Sequence, residues 1–305
     1  MRRPPRVLML FLDGVGIGRA DREVNPFFAA TLPAFRGLLD GELPHKSRRT
    51  IHSTRASVIP LDATLGIPGL PQSGTGQTTL FTGINAAKLI GKHYGPYPYS
   101  SLRTVIKEHN IFRALAGRGR TVFYANAYPQ RYFEHLSSHR TRITATVMAW
   151  LESGFPLNGH AQLSEGSAIA ADITNEHWVR LGFGHVPVIS TKRAGERLLS
   201  ILGKYDFVLY DFFHTDHAGH SRSMENAVGV LQTLDAFLGG ILEAFDPDKN
   251  LLIITSDHGN IEDLSKKTHT RNPVPLIALG SQRAFITTRS KNLTHVTPAI
   301  IDLLS

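Results

Sequence analysis

The sequence predicts an α/β protein built on a mostly parallel sheet. Continuous apolar runs, such as RVLMLFL at Arg6 to Leu12 and LLII at Leu251 to Ile254, lack polar alternation, which is typical of parallel strands buried on both faces. Ahead of the second run, apolar residues from Ala227 to Phe245 recur three and four positions apart and predict an amphipathic helix. The 305 residues are enough for one large domain with an insertion, or for two modest domains.

The composition excludes several classes of protein. A hydrophobic content of 42% with 19% charged residues is that of an ordinary globular chain. No cysteine is present, which excludes disulfides and thiolate metal sites. The longest apolar run near the start, Val7 to Leu12, is too short for a signal peptide or a membrane span, so we expect a cytoplasmic location and no membrane partner.

The net charge of +8 raises the question of a nucleic-acid partner. The basic residues are scattered among short segments and form no long Lys/Arg run, so we expect no nucleic-acid binding. A basic surface also attracts anionic substrates. A small anionic substrate agrees better with the polar residues that follow the predicted strands.

The first predicted strand leads directly into Asp13 and Gly14. Open α/β sheets place their sites at the carboxyl ends of their strands, where Asp13 would lie. A lone aspartate before a glycine would as readily cap a turn. Its interpretation as a site residue therefore depends on the other polar residues at strand ends.

A Pro/Gly-rich loop after the next predicted strand, Ala56 to Pro60, leads into a helix that we expect over Gly76 to Phe81. Ser73 and Thr75 then lie at a helix N-terminus, where unpaired N–H groups and the helix dipole favour a phosphate or an activated oxyanion. The alternative is that Ser73 only caps the helix.

The middle of the chain predicts an inserted cap. Residues 101–126 predict a helix and a strand of the sheet, whereas residues 128–190 have poor periodicity and mix aromatic residues with arginines. We expect core segments at 1–127 and 191–305, with the cap at 128–190. Three arginines of the cap are candidates to bind the anionic part of a substrate, although a solvated basic surface explains each one equally well: Arg131, Arg140 and Arg142.

Two further strands end in metal-ligating residues. The predicted strand Tyr205 to Phe213 is followed within seven residues by four potential ligands, His214, Asp216, His217 and His220. The strand at Leu251 to Ile254 is followed by Asp257 and His258, and then by His269 ahead of a last predicted strand, Val274 to Leu279. The chain closes with a helix that we expect to begin at Thr297 and Pro298.

The collected side chains predict a metal centre. They are three carboxylates, three imidazoles and a hydroxyl: Asp13, Ser73, Asp216, His220, Asp257, His258 and His269. One structural ion needs about four ligands, so this larger set favours two divalent ions bridged by an oxyanion, roughly 3.5–4 Å apart. Mixed oxygen and nitrogen ligands suit Mn²⁺ or Zn²⁺, and Mg²⁺ less well.

The sequence resembles the alkaline phosphatase superfamily, in its branch of cofactor-independent phosphoglycerate mutase and phosphopentomutase. The matching motifs, in the family's order, are Asp13-Gly-Val-Gly, Ser73-Gly-Thr-Gly, Asp216-His-Ala-Gly-His220, Asp257-His258-Gly-Asn and His269-Thr-Arg-Asn-Pro-Val-Pro. The resemblance implies a three-layer α/β/α core with a small cap. It also implies one ion held by Asp216, His220 and His269, and a second held by Asp13, Asp257 and His258 with Ser73, the nucleophile that becomes phosphorylated.

We therefore expect a two-metal phosphomonoesterase or phosphomutase that acts on a small phosphorylated metabolite. The alternatives are a phosphodiesterase or nucleotide pyrophosphatase, a sulfatase, which would need a matured serine, and an inactive metal-stabilised binding protein. Thr75 is an alternative nucleophile in the same turn. His214 and His217 fall outside the family's motif, so we expect them to be structural or to lie behind the ligands.

Overall fold

The computed structural model describes residues 4–138 and 143–305. Its strands are β1 (Arg6–Leu12), β2 (Ile51–His52), β3 (Ala56–Leu61), β4 (Val122–Tyr124), β5 (Asn126–Ala127), β6 (Ile169–Ala170), β7 (Phe207–Phe212), β8 (Asn250–Thr255) and β9 (Val274–Leu279). Among the described residues, seven strands form one sheet in the order β2-β3-β9-β8-β1-β7-β4, while β5 and β6 pair separately.

Strand direction follows from the pairings. Strand β1 pairs in parallel with β7 and β8, and β7 pairs in parallel with β4. Strand β9 is antiparallel to both β8 and β3, so β3 points the same way as β8. Five of the seven strands therefore share one direction, and the prediction of an α/β protein with a mostly parallel sheet is confirmed.

The helices cover both faces of the sheet. They are α1 (Pro26–Ala29), α2 (Pro33–Leu38), α3 (Ser73–Thr82), α4 (Ala86–Ile90), α5 (Leu102–His109), α6 (Ile111–Ala116), α7 (Gln130–Ser137), α8 (Ala145–Glu152), α9 (His160–Glu165), α10 (Glu176–Arg180), α11 (Thr191–Leu202), α12 (His214–Ser221), α13 (Met224–Leu242), α14 (Arg283–Thr287) and α15 (Val296–Leu304), with a 3₁₀ turn at Leu293–His295 before α15.

The core has two apolar layers, one on each side of the sheet. Side chains of β1 alternate between them, because successive residues of a strand point to opposite faces. Leu8, Leu10 and Leu12 pack on the side of helices α2, α11 and α13. Met9 and Phe11 pack on the side of α3, α8 and α15. The molecule is thus a three-layer α/β/α structure.

The first residues of helices α3 and α15 differ from the prediction. Helix α3 begins at Ser73 rather than at Gly76, with Gln72 as its N-cap residue. The last helix begins at Val296, because the 3₁₀ turn runs directly into it, so Thr297 is not its N-cap. The Thr297 hydroxyl instead donates to Leu80 O, at 2.7 Å, and ties α15 to α3.

The segment predicted as a cap contains two kinds of structure. Helix α8 packs on α3, α5 and α6, and Trp150 lies edge-on to Phe112, with 5.0 Å between ring centroids, inside the core. Around α9 and α10, by contrast, a separate apolar cluster forms that includes Leu163, Trp178 and Val186. We therefore confine the proposal of a cap to α7 and to residues 158–190. In the described part of the chain, no helix has both the length and the apolar character needed to cross a membrane.

Candidate metal centre

Four segments bring the predicted ligands to one edge of the sheet. Asp13 follows β1, Asp216 lies in the first turn of α12 after β7, and Asp257 and His258 follow β8. His269 precedes β9, and because β9 runs antiparallel to β8, the start of β9 lies at the edge where β8 ends. The antiparallel strand thus adds a ligand to a site made otherwise by the ends of parallel strands.

Ser73 is brought to this edge by the packing of α3. A Cβ atom on Gly76 would lie 2.8 Å from the carbonyl oxygen of Asp257, and one on Gly74 would collide with the carbonyl oxygen of Tyr97. Gly76 lets the first turn of α3 pack directly against the segment that follows β8, and Gly74 lets the same turn pack against the backbone at Tyr97. This close approach explains the glycines of the Ser-Gly-Thr-Gly motif.

The first group of ligands surrounds one imidazole nitrogen. His258 Nε2 lies 2.9 Å from Ser73 Oγ, 3.3 Å from Asp13 Oδ1 and 3.6 Å from Asp257 Oδ2. The side chains of His258 and Asp257 are fully buried. Asp13 Oδ1 and Asp257 Oδ2 have no hydrogen-bond partner among the described residues.

The second group is centred on His269. Its Nε2 lies 3.1 Å from His220 Nε2 and 3.6 Å from Asp216 Oδ1, and His220 Nε2 lies 3.3 Å from Asp216 Oδ2. The ring of His269 also stacks on that of His258, with 3.8 Å between centroids. The two groups therefore share a wall, and all seven residues that the sequence predicts lie together.

The charges of the first group require a cation. Burial, and secondarily the charge of Asp257, raises the pKa of Asp13 to about 7, and burial also raises the pKa of Asp257. Burial alone would lower the pKa of His258, but the carboxylates of Asp257 and Asp13 outweigh it and raise the pKa to about 10. Buried carboxylates without a compensating charge are costly, so a divalent ion between them fits the site.

The histidines present lone pairs suited to a metal. His269 Nδ1 lies 2.9 Å from Pro71 O, so the proton is on Nδ1 and the lone pair of Nε2 points into the site. Burial, followed by the charge of His258, lowers the pKa of His269 to about 4, so this imidazole is neutral near pH 7. A neutral nitrogen facing His220 Nε2 and a carboxylate is the donor set that Zn²⁺ or Mn²⁺ accepts.

Two sets of described residues offer ligand atoms close enough together to hold an ion. One is Asp13, Asp257 and His258, and the other is Asp216, His258 and His269.

A model of the Metalloenzyme superfamily matches residues 185–305, the part of the chain with five of the candidate ligands. Together with the fold, this match confirms the resemblance to alkaline-phosphatase-like metalloenzymes.

Curated relatives match a limited stretch of this chain. The 2,3-bisphosphoglycerate-independent phosphoglycerate mutase of Desulforudis audaxviator is 31% identical over 124 residues, which is 39% of this chain and 24% of that protein. The protein of the same name from Ruthia magnifica is 34% identical over 109 residues, 33% of this chain and 21% of that protein. These matches thus span about a quarter or less of the length of those relatives.

Solved structures match the fold over nearly the whole chain. The PH0037 protein of Pyrococcus horikoshii has a TM-score of 0.57 at 17% identity and covers 100% of this chain and 98% of its own. Alkaline phosphatase from the Antarctic bacterium TAB5 has a TM-score of 0.56 at 13% identity, covering 99% of each chain. Phosphoglycerate mutase of Leishmania mexicana has a TM-score of 0.51 at 13% identity, covering 99% of this chain and 95% of its own.

The structure also identifies supporting residues that the sequence analysis missed. Gln77 Nε2 donates to Asp13 Oδ2 at 3.1 Å, and Asn260 Nδ2 donates to Asp216 Oδ1 at 2.7 Å. Such partners orient the ligands of a metal. Asn260 is the last residue of the Asp257-His258-Gly-Asn motif, and Gln77 lies one turn after Ser73 on the same helix. Residues four apart on a helix lie on the same face, so the spacing from Ser73 is the sequence signal that places Gln77 beside the site.

Glu262 is a further missed residue, and it connects three ligand-bearing segments. Its fully buried carboxylate accepts hydrogen bonds from Gly16 N at 2.9 Å and Asn260 N at 2.7 Å. It also accepts from Asn272 Nδ2 at 2.9 Å and from the hydroxyl of Thr270. These donors lie in the loops after β1 and β8 and before β9. Nothing in the sequence distinguishes this glutamate from an exposed one.

Thr75, His214 and His217 are placed away from the metal-ligand groups. The Thr75 hydroxyl donates to Gln72 O at 3.1 Å and accepts from Tyr94 N at 3.2 Å, so it holds the loop beside α3. His214 stacks on Phe213, with 4.8 Å between ring centroids, and His217 lies edge-on to the same ring at 5.2 Å. Both histidines line a cavity next to the metal centre.

This cavity has a volume of about 850 Å³ and opens from the metal centre toward the proposed cap. Asp13, Ser73 and Asp216 line one end of it. Arg131, on the exposed side of α7, lines it as well, whereas Arg140 and Arg142 lie outside the described residues. A cavity of this size holds an organic ligand, so the metal centre has space for a substrate beside Ser73.

Proposed function

We propose that this protein is a metal-dependent phosphoryl-transfer enzyme, a phosphomonoesterase or phosphomutase, that acts on a phosphorylated metabolite through a phosphoserine. The position of Ser73 carries the proposal. Its Oγ lies 2.9 Å from His258 Nε2, in the first turn of α3, between buried carboxylates and a substrate-sized cavity. A serine in such surroundings is suited to nucleophilic attack, because an unactivated hydroxyl is a poor nucleophile.

The ligand sets divide between two divalent ions. Asp13, Asp257 and His258 would hold one ion beside Ser73, and the other would be held by Asp216, His220 and His269. Such ions lower the pKa of a bound serine hydroxyl and offset charge on the phosphoryl oxygens. The mixed set of carboxylates and imidazoles suits Mn²⁺ or Zn²⁺ better than Mg²⁺.

Residues of the chain position the reacting groups. Ser73 Oγ, after its proton is lost to water, forms a bond to phosphorus while the ester bond to the leaving oxygen breaks, and that oxygen takes a proton from water. The N-terminal end of α3, where the Thr75 N–H already donates to Tyr94 O at 2.9 Å, would stabilise the phosphoryl oxygens through the helix dipole. Gln77 and Asn260 keep Asp13 and Asp216 in place during the reaction. Transfer from Ser73 to water completes a phosphatase cycle, and transfer to a substrate hydroxyl completes a mutase cycle.

Arg131 is the candidate for an anionic group away from the phosphoryl centre. It is exposed and lines the cavity on the side of α7. A guanidinium there would bind a second anionic group of the substrate at the mouth of the cavity. Arg131→Ala should then raise KM for such a substrate and leave the metal content unchanged.

The test of the function is a phosphomonoester panel assayed with Mn²⁺, Zn²⁺ and Mg²⁺ separately, combined with mass spectrometry of the Ser73 peptide. We expect turnover and a mass increase of one phosphate on that peptide. Ser73→Ala should lose turnover by several orders of magnitude and still bind an ion at Asp216 and His269. Thr75→Ser, which keeps the hydroxyl that holds the loop, is the matched control and should stay active.

Other outcomes distinguish the alternatives. Near-normal activity of Ser73→Ala would contradict the phosphoserine. Preference for diesters over monoesters would indicate a phosphodiesterase or nucleotide pyrophosphatase. Turnover of sulfate esters together with a modified Ser73 would indicate a sulfatase. Two bound ions with no turnover of any ester would indicate a metal-stabilised binding protein.

A further inference from the structure

The cavity beside the metal centre is larger and more aromatic than a three-carbon phosphoester requires. Its volume is about 850 Å³, so a phosphoglycerate bound at Ser73 would leave most of the space to water. The walls beyond the metal ligands carry tyrosine, tryptophan, phenylalanine and histidine rings. These walls indicate what the part of the substrate beyond the phosphoryl group looks like.

One wall of the cavity consists of tyrosines and begins next to the proposed nucleophile. The backbone of Tyr97 packs against Gly74, one residue after Ser73. Tyr128 and Tyr132 continue the wall as a stacked pair, with 4.4 Å between centroids and 28° between ring planes. The Tyr128 hydroxyl is 2.7 Å from that of Tyr124, which fixes the ring. These residues offer rigid, flat surface within the cavity.

A second aromatic group comes from the element that carries Asp216. Phe213 and His214 stack at 4.8 Å, and His217 lies edge-on to both rings. Both aromatic groups thus adjoin the metal centre, one through α3 and the other through α12.

Among the described residues, the cavity lining away from its exposed side offers no Lys or Arg to a second anionic group. Among the described residues that line the cavity, Arg131 is the one Lys or Arg, and it lies on the exposed side. Asp172 lines the cavity too, and its Oδ1 is buried without a hydrogen-bond partner among the described residues. A carboxylate in the lining repels a second carboxylate on a substrate.

We propose that the cavity binds a leaving group that carries a planar heteroaromatic base, so that the substrate class is nucleoside monophosphates. The base would stack on the tyrosine wall of Tyr97, Tyr128 and Tyr132. Stacking on aromatic side chains is favourable for every base, because each has a π-face. The proposal rests on the proposed function for the phosphoryl end of the substrate, but the base subsite is a separate set of residues.

The test compares ligands that differ only in the base. The metal-loaded enzyme is assayed with the common nucleoside 5′-monophosphates and with ribose 5-phosphate, and binding of the free nucleosides and of ribose is measured by calorimetry. We expect kcat/KM for at least one nucleotide to exceed that for ribose 5-phosphate about tenfold or more. We also expect the corresponding nucleoside to bind where ribose does not.

Variants of Tyr132 locate the subsite. Tyr132→Ala should lower nucleotide kcat/KM about tenfold and leave ribose 5-phosphate kcat/KM unchanged, while Tyr132→Phe keeps the ring and the wild-type ratio. Tyr99→Ala is the matched control, since Tyr99 is 39% exposed and is not part of the cavity lining. A general loss of folding would lower both substrates together, and rescue by phenylalanine excludes it.

The outcomes separate the two proposals. Equal use of ribose 5-phosphate, phosphoglycerate and nucleotides, with no nucleoside binding, would overturn the base subsite while the phosphoryl-transfer function stands. Nucleoside binding that depends on Tyr132, without turnover of any phosphomonoester, would support the subsite and overturn the function. Unchanged nucleoside binding in Tyr132→Ala would contradict the placement of the base on this wall.

Discussion

Replacement of Glu262 by alanine should destabilise the protein strongly, because this carboxylate connects three segments of the metal centre. It is fully buried and accepts four hydrogen bonds. The donors are two backbone N–H groups, at Gly16 and Asn260, and the side chains of Thr270 and Asn272. Alanine would leave all four without an acceptor, in loops that otherwise bring Asp13, His258 and His269 together.

The size of the effect follows from the number of orphaned donors. A buried donor that loses its partner costs about 1–3 kcal/mol. Water entering the space of the removed side chain would recover part of this, so the lower limit of about 1 kcal/mol for each of the four donors is appropriate. The expected loss is about 4 kcal/mol, a large part of the 5–15 kcal/mol typical of a folded protein. Glu262→Gln should lose less, because its amide oxygen still accepts.

The assay is urea unfolding of metal-free and metal-loaded protein, with stability taken from the midpoint at constant slope. Glu243→Ala is the control, since Glu243 is an exposed glutamate paired with Lys192 and should change stability by less than about 1 kcal/mol. Weaker metal binding should accompany the Glu262 variants. A loss below about 1 kcal/mol for Glu262→Ala would refute the reasoning, because it would mean that the four donors find other partners at no cost.

Three further changes test the metal centre. A chelator should lower Tm markedly, and elemental analysis of loaded protein should give about two ions per chain, whereas one or none would contradict the two-ion proposal. Gly76→Ala should weaken metal binding, because its Cβ would lie 2.8 Å from Asp257 O, while Gly229→Ala on open helix surface should bind metal normally. The chelated protein should lose stability as pH rises from about 7 to about 10. In the folded protein the pKa of His258 is raised to about 10, so His258 keeps a proton that the unfolded chain releases near pH 6.5. Urea midpoints independent of pH in this window would contradict the charge assignment.

The strands were predictable because burial on both faces produces continuous apolar runs. Val274–Leu279 was predicted with the observed bounds, and Arg6–Leu12 likewise. The direction of β9 was not predictable, because an antiparallel strand buried in the sheet has the same apolar sequence as a parallel one. The true start of α3 at Ser73 was missed because Ser-Gly-Thr-Gly has poor helix propensity, and the helix is stabilised instead by its burial.

The site was predictable where a polar side chain interrupts an apolar run. Asp13 and Asp257 each follow a strand directly, and polar residues at the ends of strands have few structural explanations. Glu262 and Gln77 were missed because folding brings partners to them from far along the chain: Gly16 is 246 residues from Glu262, and Asp13 is 64 residues from Gln77. The sequence does not show whether a hydrogen-bond acceptor such as the carboxylate of Glu262 is buried or exposed.

The division of the ligands between two ions depends on His258 more than the sequence motifs indicate. The resemblance assigns His258 to the ion of Asp13 and Asp257, yet its imidazole also lies within reach of Asp216 and His269. His258 Nε2 is nearest to Ser73 Oγ, at 2.9 Å, and to Asp13 Oδ1, at 3.3 Å, which favours the first ion. The rings of His258 and His269 stack at 3.8 Å between centroids, and each ring would present its Nε2 to one of the two proposed ions. The stacking therefore limits the distance between these ions. Ser73, hydrogen-bonded to one of these stacked rings, would therefore lie where the charge of both proposed ions acts on the phosphoryl group that we propose it attacks.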